Sequence, residues 1–513
     1  MNISIQGRSL RLPPLRLRLW GVIGAGALLS GCASFTAQPL SADDIKTQVQ
    51  ADRQALARDV APVSGPVPLE EAIARAIKYN AGQRLRAMEE AVAQGTYDVS
   101  TFDMLPKLVA SAGYRYRDKD LITRSTDSVT GQPSLAHPYI STDRDYTQSA
   151  LTLSWSLLDF GQSYYAAHQN ADRVRIAAER RRKAIYTLVQ DVRTAYWRVV
   201  ASQALESSLR SARDQAEKAL ADARKAEAEQ LRSPLEPLRY QRQLLENVRL
   251  LEAIQEELSA SRIELASLMG LPPGMDTQNL RVVEPAFNPR PQWLEQPVED
   301  LEARALMLNP DLRESLYNAR IAQEETKRVL LRMFPGLSFN YSLNKSNDSY
   351  LINDHWREAG VQVSFNLLSL LSAPQQWKLA KDGVSLADQK RLATQMAVLA
   401  QLHIARLQFG NAMNQYQRAD EIAGVDQRIA RHVDNQVRAQ KQAGLEQVSQ
   451  QAGAILSSLR RYQALSNMQA AAARLQATLG LEPAIDGSDA MPLPELTASV
   501  ARGLSQWESG KLP

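Results

Sequence analysis

The chain is written twice. Ala74-Arg75-Ala76 and Asn80 recur as Ala303-Arg304-Ala305 and Asn309, 229 residues on. The same offset carries Met104, Pro106 and Leu108 onto Met333, Pro335 and Leu337. At an offset of 210, Ser154, Leu157 and Leu158 recur as Ser364, Leu367 and Leu368. That offset also carries Leu235-Glu236 onto Leu445-Glu446 and Gly270-Leu271 onto Gly480-Leu481. Two long collinear halves therefore differ by a 19-residue indel between Leu108 and Ser154. Internal repetition on this scale constrains the architecture before any local motif does. It makes one fused molecule of two similar halves a better expectation than the several unrelated domains that 513 residues allow.

Residues 1–31 read as a targeting segment. Arg8, Arg11, Arg16 and Arg18 give a positive start, and Leu19 to Leu29 is an apolar stretch of 11 residues. Such a stretch is too short to span a bilayer as a helix. It ends in Leu29-Ser30-Gly31-Cys32, which holds the only cysteine of the chain. The sequence resembles a bacterial lipobox. That resemblance implies a covalent lipid on Cys32, and Ala33 after it implies sorting to the outer membrane. The alternative is a plain secretory signal with a chance cysteine. With one cysteine the chain can form no internal disulfide. The formal net charge of +4 lies in those four arginines; beyond them 56 basic residues face 56 acidic ones. A polyanionic partner such as nucleic acid gains no support from this balance.

Residues 32–68 read as a polar, lipidated, extended arm, Pro-rich at Pro62, Pro66 and Pro68. A helical pattern from Leu69 to about Met104 follows, closed by Pro106. Strict alternation comes next. Leu108, Ala110, Ala112, Tyr114 and Tyr116 share one face, opposite Ser111, Arg115 and Arg117. Leu151, Leu153, Trp155 and Leu157 oppose Thr152, Ser154 and Ser156. The second half repeats both runs: Leu337, Phe339, Tyr341 and Leu343 against Ser338, Asn340 and Ser342, then Val361, Val363, Phe365 and Leu367 against Gln362, Ser364 and Asn366. Such alternation describes strands between an apolar phase and water, and their length suits a bilayer. A soluble sandwich with one wet face is the alternative. From Gln162 to Ser233 there is neither Gly nor Pro, predicting a helix of roughly 108 Å at about 1.5 Å per residue. Its counterpart is predicted over Gln375 to Ala443. Ile185, Leu188, Val192 and Ala195 have the three-four spacing of long packed helices. Returning helices run to Gly270 and Gly480. The expected division is a first repeat at 69–270, a linker at 271–297, a second repeat at 298–480 and a C-terminal segment at 481–513.

Four membrane-type strands cannot stand alone in lipid, because open edges leave backbone groups unpaired. They are also too few to close a barrel around a lumen. Closure must come from other subunits: eight strands in a dimer, twelve in a trimer. Here the chain resembles the TolC family of outer-membrane factors, the exit ducts of tripartite efflux pumps and type I secretion systems. The residues carrying the resemblance are the repeat, the Asn80 and Asn309 helices, Met104-Leu105-Pro106, Met333-Phe334-Pro335 and the junction Trp155-Ser156-Leu157-Leu158-Asp159-Phe160-Gly161. It implies a mainly α chain with membrane β: a homotrimer whose twelve-stranded β-barrel continues into a long α-helical periplasmic barrel. It places residues 271–297 and 481–513 in an equatorial region. It implies an outer-membrane location, contact with lipid, a periplasmic adaptor and an inner-membrane transporter as partners, and a periplasmic tip at Ser233, Pro234, Leu235 and Glu236 and at Ala443, Gly444, Leu445 and Glu446. Many members carry aspartates just after the second tip; Gln447, Val448, Ser449, Gln450 and Gln451 stand there in this chain.

Nothing in the sequence suggests an enzyme, a cofactor or a metal. Asp159-Phe160-Gly161 lacks the other kinase loops. The five histidines, His137, His168, His355, His403 and His432, have no paired ligand spacing. Arg180-Arg181-Arg182-Lys183 reads as a solvated helix face. The expected function is a passive duct driven by its inner-membrane partner. The other class to weigh is a periplasmic coiled-coil lipoprotein that bridges envelope components without a pore. For the lipid, Cys32→Ser is expected to abolish fatty-acid labelling of the protein in cells; continued labelling of the variant would refute the anchor.

Overall fold

The computed structural model describes residues 39–58, 60–123, 126–133, 139–228, 235–272, 279–285, 292–439, 444–481 and 490–509. The signal segment and Cys32 lie outside the described residues. The chain divides into two compact units, residues 1–58 and 59–513. In the first, α1 spans Ala42–Ala57. Residues 42–57 thus correct the expected extended arm. A complete capping box starts this helix: the Ser41 hydroxyl accepts from the Asp44 amide at 3.1 Å, and the Asp44 carboxylate accepts from the Ser41 amide at 3.2 Å.

In the second unit α2 (Leu69–Tyr79) and α3 (Ala81–Phe102) precede β1 (Lys107–Tyr116). The short strands β2 (Ile122–Thr123) and β3 (Tyr139–Ile140) pair within the loop before β4 (Asp145–Ser156). Then come α4 (Leu157–Ala228), α5 (Leu235–Ser259) and α6 (Ser261–Leu268). After α7 (Gln292–Glu295) the order returns: α8 (Val298–Leu308), α9 (Pro310–Leu331), β5 (Gly336–Ser346), β6 (His355–Ser364), α10 (Ser369–Arg438) and α11 (Gly444–Thr478). The chain closes with α12 (Leu493–Glu508).

Asn80 interrupts the single helix expected over 69–104. Its backbone leaves the helical region, and its side-chain oxygen accepts from the amides of Gly82 at 2.9 Å and Gln83 at 3.4 Å, starting α3. Its amide nitrogen donates to the Leu268 carbonyl at 3.1 Å, at the end of α6. One side chain thus caps the beginning of one helix and the end of another. Asn309 does the same. It accepts from Asp311 and Leu312 and donates to the Thr478 carbonyl at 3.2 Å. Beside each asparagine stands a glycine in the left-handed region, Gly270 at φ +70° and Gly480 at φ +67°. A Cβ on Gly270 would lie 2.5 Å from the Tyr79 carbonyl oxygen, and one on Gly480 2.5 Å from Leu308 Cβ. Both conformation and space require glycine.

The long helices differ from expectation at their ends. α4 starts at Leu157, directly after β4, and contains Gly161; α10 starts at Ser369 and contains Pro374 in its second turn. β6 runs His355–Ser364, so Phe365 and Leu367 lie beyond the strand. Side by side, α3 packs on α4, α4 on α9 and α9 on α10. Further along, α5 packs on α4, α4 on α11 and α11 on α10. The main core lies midway down the long helices. There Tyr196, Trp197, Leu402, Met468 and Leu475 are fully buried together with Ile73 and Leu301. A smaller cluster of Ala216, Leu220, Ala223, Leu244 and Val448 ties α4, α5 and α11 toward the tips.

Replacing Gly270 or Gly480 by Ala is expected to lower stability by about 1–3 kcal/mol, the usual cost of a forced left-handed residue. Ala at the exposed Gly95 of α3, which meets nothing within 4 Å, is the control and should be neutral or stabilising. Thermal unfolding in detergent checks both; equal midpoints for all variants would contradict the clasp.

Candidate functional site

The sheet is antiparallel in the order β1–β4–β5–β6. Its register sorts the two faces. Leu108, Leu153, Tyr341 and Ala359 form one row; Ala110, Leu151, Leu343 and Arg357 form the next. Trp155, Phe339 and Val361 continue the apolar side. On the other face stand the rows Lys107, Ser154, Asn340, Gly360 and Val109, Thr152, Ser342, Glu358. Ser156, Ser338 and Gln362 complete it. A one-residue slip in any pair would mix the faces. Leu337 to Leu343 covers roughly 20 Å along the strand at about 3.3 Å per residue, most of the outward apolar band of about 25 Å on membrane barrels.

Aromatic rings gather where the sheet meets the helices. Trp155 contacts Phe160 at 5.8 Å and Phe339 at 6.4 Å, and the chain of rings continues through Tyr164 to His168. Toward the far end of β1, Tyr114 and Tyr116 are exposed on the apolar face. Aromatics at both ends of an apolar band mark the two interfaces of a bilayer. Among the described residues no helix is long and apolar enough to cross a membrane.

The loops beyond the strands lock the two halves together. The Asp143 carboxylate accepts from the Ser349 amide and, at 2.9 Å, from the Ser349 hydroxyl; the Asp348 carboxylate accepts from the Asp143 amide at 3.1 Å. The Ser349 backbone and hydroxyl hold the Asp143 carboxyl below its ordinary pKa. Asp120, paired with Arg144, is lowered likewise.

Sheet and helices leave both lateral edges open. β1 above α3 ends one side, and β6 above α10 ends the other. Both flanking helices carry exposed apolar stripes. On α3 these are Leu85, Met88, Val92, Val99 and Phe102, with Val92 69% exposed. On α10 they are Leu379, Leu386 and Met396, and lower down Ile422, Val425 and Ile429. Leu238 and Leu245 stand exposed on α5, which closes the first side toward the tips. The three-, four- and seven-residue spacings on α3 and on lower α10 keep those residues on one helix face.

Between neighbouring helices the contacts are largely charged. Arg180 pairs with Glu314 at 2.7 Å and Lys183 with Asp311 at 2.8 Å, both on α9. Arg181 reaches Glu90 on α3 at 3.2 Å, and Arg182 pairs with Glu179 at 2.7 Å. The run expected to be solvated therefore lies in an inter-helix ion-pair net. Only Arg180 and Lys183 are mostly exposed, and their pairs are worth little singly. Asp172 and Glu179 are buried, with Arg320 and Arg313 of α9 as partners.

Of the tip residues, Ser233, Pro234 and Ala443 lie outside the described residues. Leu235 and Glu236 open α5, with Leu235 55% exposed; Gly444, Leu445 and Glu446 open α11. Glu446 accepts from the Gln450 amide at 2.9 Å, and Gln447 donates to Asp434 of α10 at 2.6 Å. The glutamines after the second tip thus bind the acids of their own helix pair. Among the described residues no group of three His, Cys, Asp or Glu could hold a metal ion.

Residues 83–271 match the family model described as outer membrane efflux protein. No curated protein matches the chain by sequence. Solved structures match it closely in fold. The CmeC outer membrane channel of Campylobacter jejuni superposes with a TM-score of 0.64 at 12% identity, covering 85% of this chain and 89% of that one. The outer-membrane channel OprN gives 0.61 at 15% identity over 80% and 89%. The outer membrane protein VceC of Vibrio cholerae gives 0.60 at 14% identity over 80% and 96%. The family and these channels are not enzymes. A two-faced sheet on very long helices therefore carries an outer membrane efflux protein domain over residues 83–271 and shares the fold of these outer-membrane channels over four fifths of its length.

Proposed function

We propose that the chain is one third of a trimeric outer-membrane duct, anchored by lipid at Cys32 and extended into the periplasm by its helices. It would serve as the passive exit of a tripartite efflux pump or a type I secretion system. An adaptor docks at the two tips, and an inner-membrane transporter supplies the energy. The twofold repeat gives each protomer two hairpins and two long helix pairs, so three protomers make a twelve-stranded barrel above a helical one.

One observation carries this reading. The sheet and the helix layer run out at the same two edges, and both edges are chemically open. β1 and β6 each have a free backbone edge, which lipid does not tolerate. Beside them α3 and α10 both expose large apolar side chains. A neighbouring copy satisfies all of these at once: β6 against β1, upper α10 against α3, lower α10 against α5. The hydroxyl and amide face of the sheet then lines a wet lumen. Each Leu or Val buried along the seam contributes roughly 1.5–3 kcal/mol.

The native mass of protein extracted from membranes in mild detergent tests the assembly. Three copies are expected for the wild type, and Val92→Glu or Leu386→Glu should shift the population to monomers. A wild-type monomer would favour the bridging lipoprotein instead. At the tips, a charged residue at Leu235 or Leu445 is expected to impair export while leaving the trimer intact. Unchanged export in both variants would place adaptor docking elsewhere.

A further inference from the structure

The apolar face of the sheet is not apolar to its end. On β5 the side chains of this face are Leu337, Phe339, Tyr341, Leu343 and then Lys345. On β6, read back toward the loop, they are Val363, Val361, Ala359, then Arg357 and His355. Arg357 pairs across the sheet with Leu343, and Lys345 with His355. Lys345 and Arg357 are therefore diagonal neighbours on one face, with Cβ atoms roughly 7–8 Å apart. Both are exposed.

Their acidic neighbours are engaged elsewhere. Asp354 is hydrogen-bonded to the His355 ring nitrogen Nδ1 at 2.7 Å and reaches Lys345 only as a weaker charge–charge attraction without direct contact. Glu358 follows Arg357 in the chain but faces the other side of the sheet, where it accepts from Trp356 Nε1 at 2.7 Å. Among the described residues no carboxylate forms an ion pair with Lys345 or Arg357. A cation on the lipid side of a barrel is costly at the bilayer midplane and nearly free at the interface. The two side chains stand where the apolar band stops, at the end of the strands remote from the helices. At that level the anion a membrane offers is a lipid phosphate. A guanidinium and an ammonium a few ångströms apart can share one phosphate, the first by a planar fork and the second as a point charge.

We propose that Lys345 and Arg357 form a binding site for the phosphate of a lipid headgroup in the outward-facing leaflet. The site rests on the outer-membrane reading above. It fixes the depth of the sheet by a polar contact at its upper rim.

The test uses the full-length protein in mild detergent with diphosphoryl lipid A as probe, followed by native mass spectrometry. The wild-type trimer should retain the lipid. Lys345→Gln and Arg357→Gln should each weaken retention about fivefold, and the double variant about thirtyfold. Lipid A stripped of its phosphates should bind the wild type no better than diphosphoryl lipid A binds the double variant. Arg115→Gln, on the opposite face of the sheet, should leave retention unchanged. Trimers that hold the lipid equally with and without the two cations would overturn the site and leave the duct reading standing. Loss of lipid in Arg115→Gln equal to that in the double variant would also overturn it. A wild-type chain that never assembles would overturn both.

Discussion

Two asparagine side chains hold the molecule at its waist. Asn80 and Asn309 each satisfy helix-end groups of two different helices, an N-terminal pair of amides and a C-terminal carbonyl. Unsatisfied helix ends inside a packed core are costly, so each clasp dictates where the end of one helix must meet the start of another. The glycine beside it lets the two backbones touch. From these points the strand-bearing helices α3 and α9 leave in one direction and the return helices α6 and α11 arrive from the other. That placement fixes where α3 and α9 begin, and so where the strands that follow them start.

Above and below the waist, different forces align the helices. Around Tyr196, Trp197 and Leu402 the contacts are apolar and buried. Nearer the sheet the seam between α4 and α9 is charged, from Asp172–Arg320 through Glu179–Arg313 to Lys183–Asp311. Buried Asp172 and Glu179 would be expensive without their arginines. Such pairs add little net stability, but they penalise every misaligned register of two otherwise uniform helices. Composition favours this division, since Ala and Arg dominate where side chains must be either small or self-sorting.

Much of this was legible in the sequence where the backbone itself imposes the residue. Asn80 with Gly270, and Asn309 with Gly480, repeat because each glycine position admits no Cβ and each asparagine both accepts from and donates to helix ends. The alternating runs were legible because one face meets water and the other does not. Legibility failed where the cause was distant or local signals competed. The partners of Arg180 and Lys183 lie on α9, more than a hundred residues away, so the run looked merely solvated. The prolines before Leu69 masked the Ser41 capping box. Asn80 does not read as a break in the sequence, because the helical pattern on either side is nearly in phase. Gly161 and Pro374 carry boundary signals in the sequence, whereas the second turns of α4 and α10 accept them. The two-residue strands β2 and β3 are too short to have a period. At the tips, Ser233, Pro234 and Ala443 lie outside what the structure describes.

The sheet's connectivity also sets an order of events during synthesis. β1 and β4 are joined by a local loop and can pair as soon as both exist, and so can β5 and β6. The central pairing is different: Ser156 meets Ser338 and Gln148 meets Ser346, across the whole of α4, α5 and α9. Closing so long a loop carries an entropic cost that only the completed second half can offset, and pairing of this kind is slow. Until then each hairpin has an apolar face and a free backbone edge in water, the two features that most promote aggregation. A newly made chain of this design therefore needs its hairpins shielded for the time that separates its first half from its second.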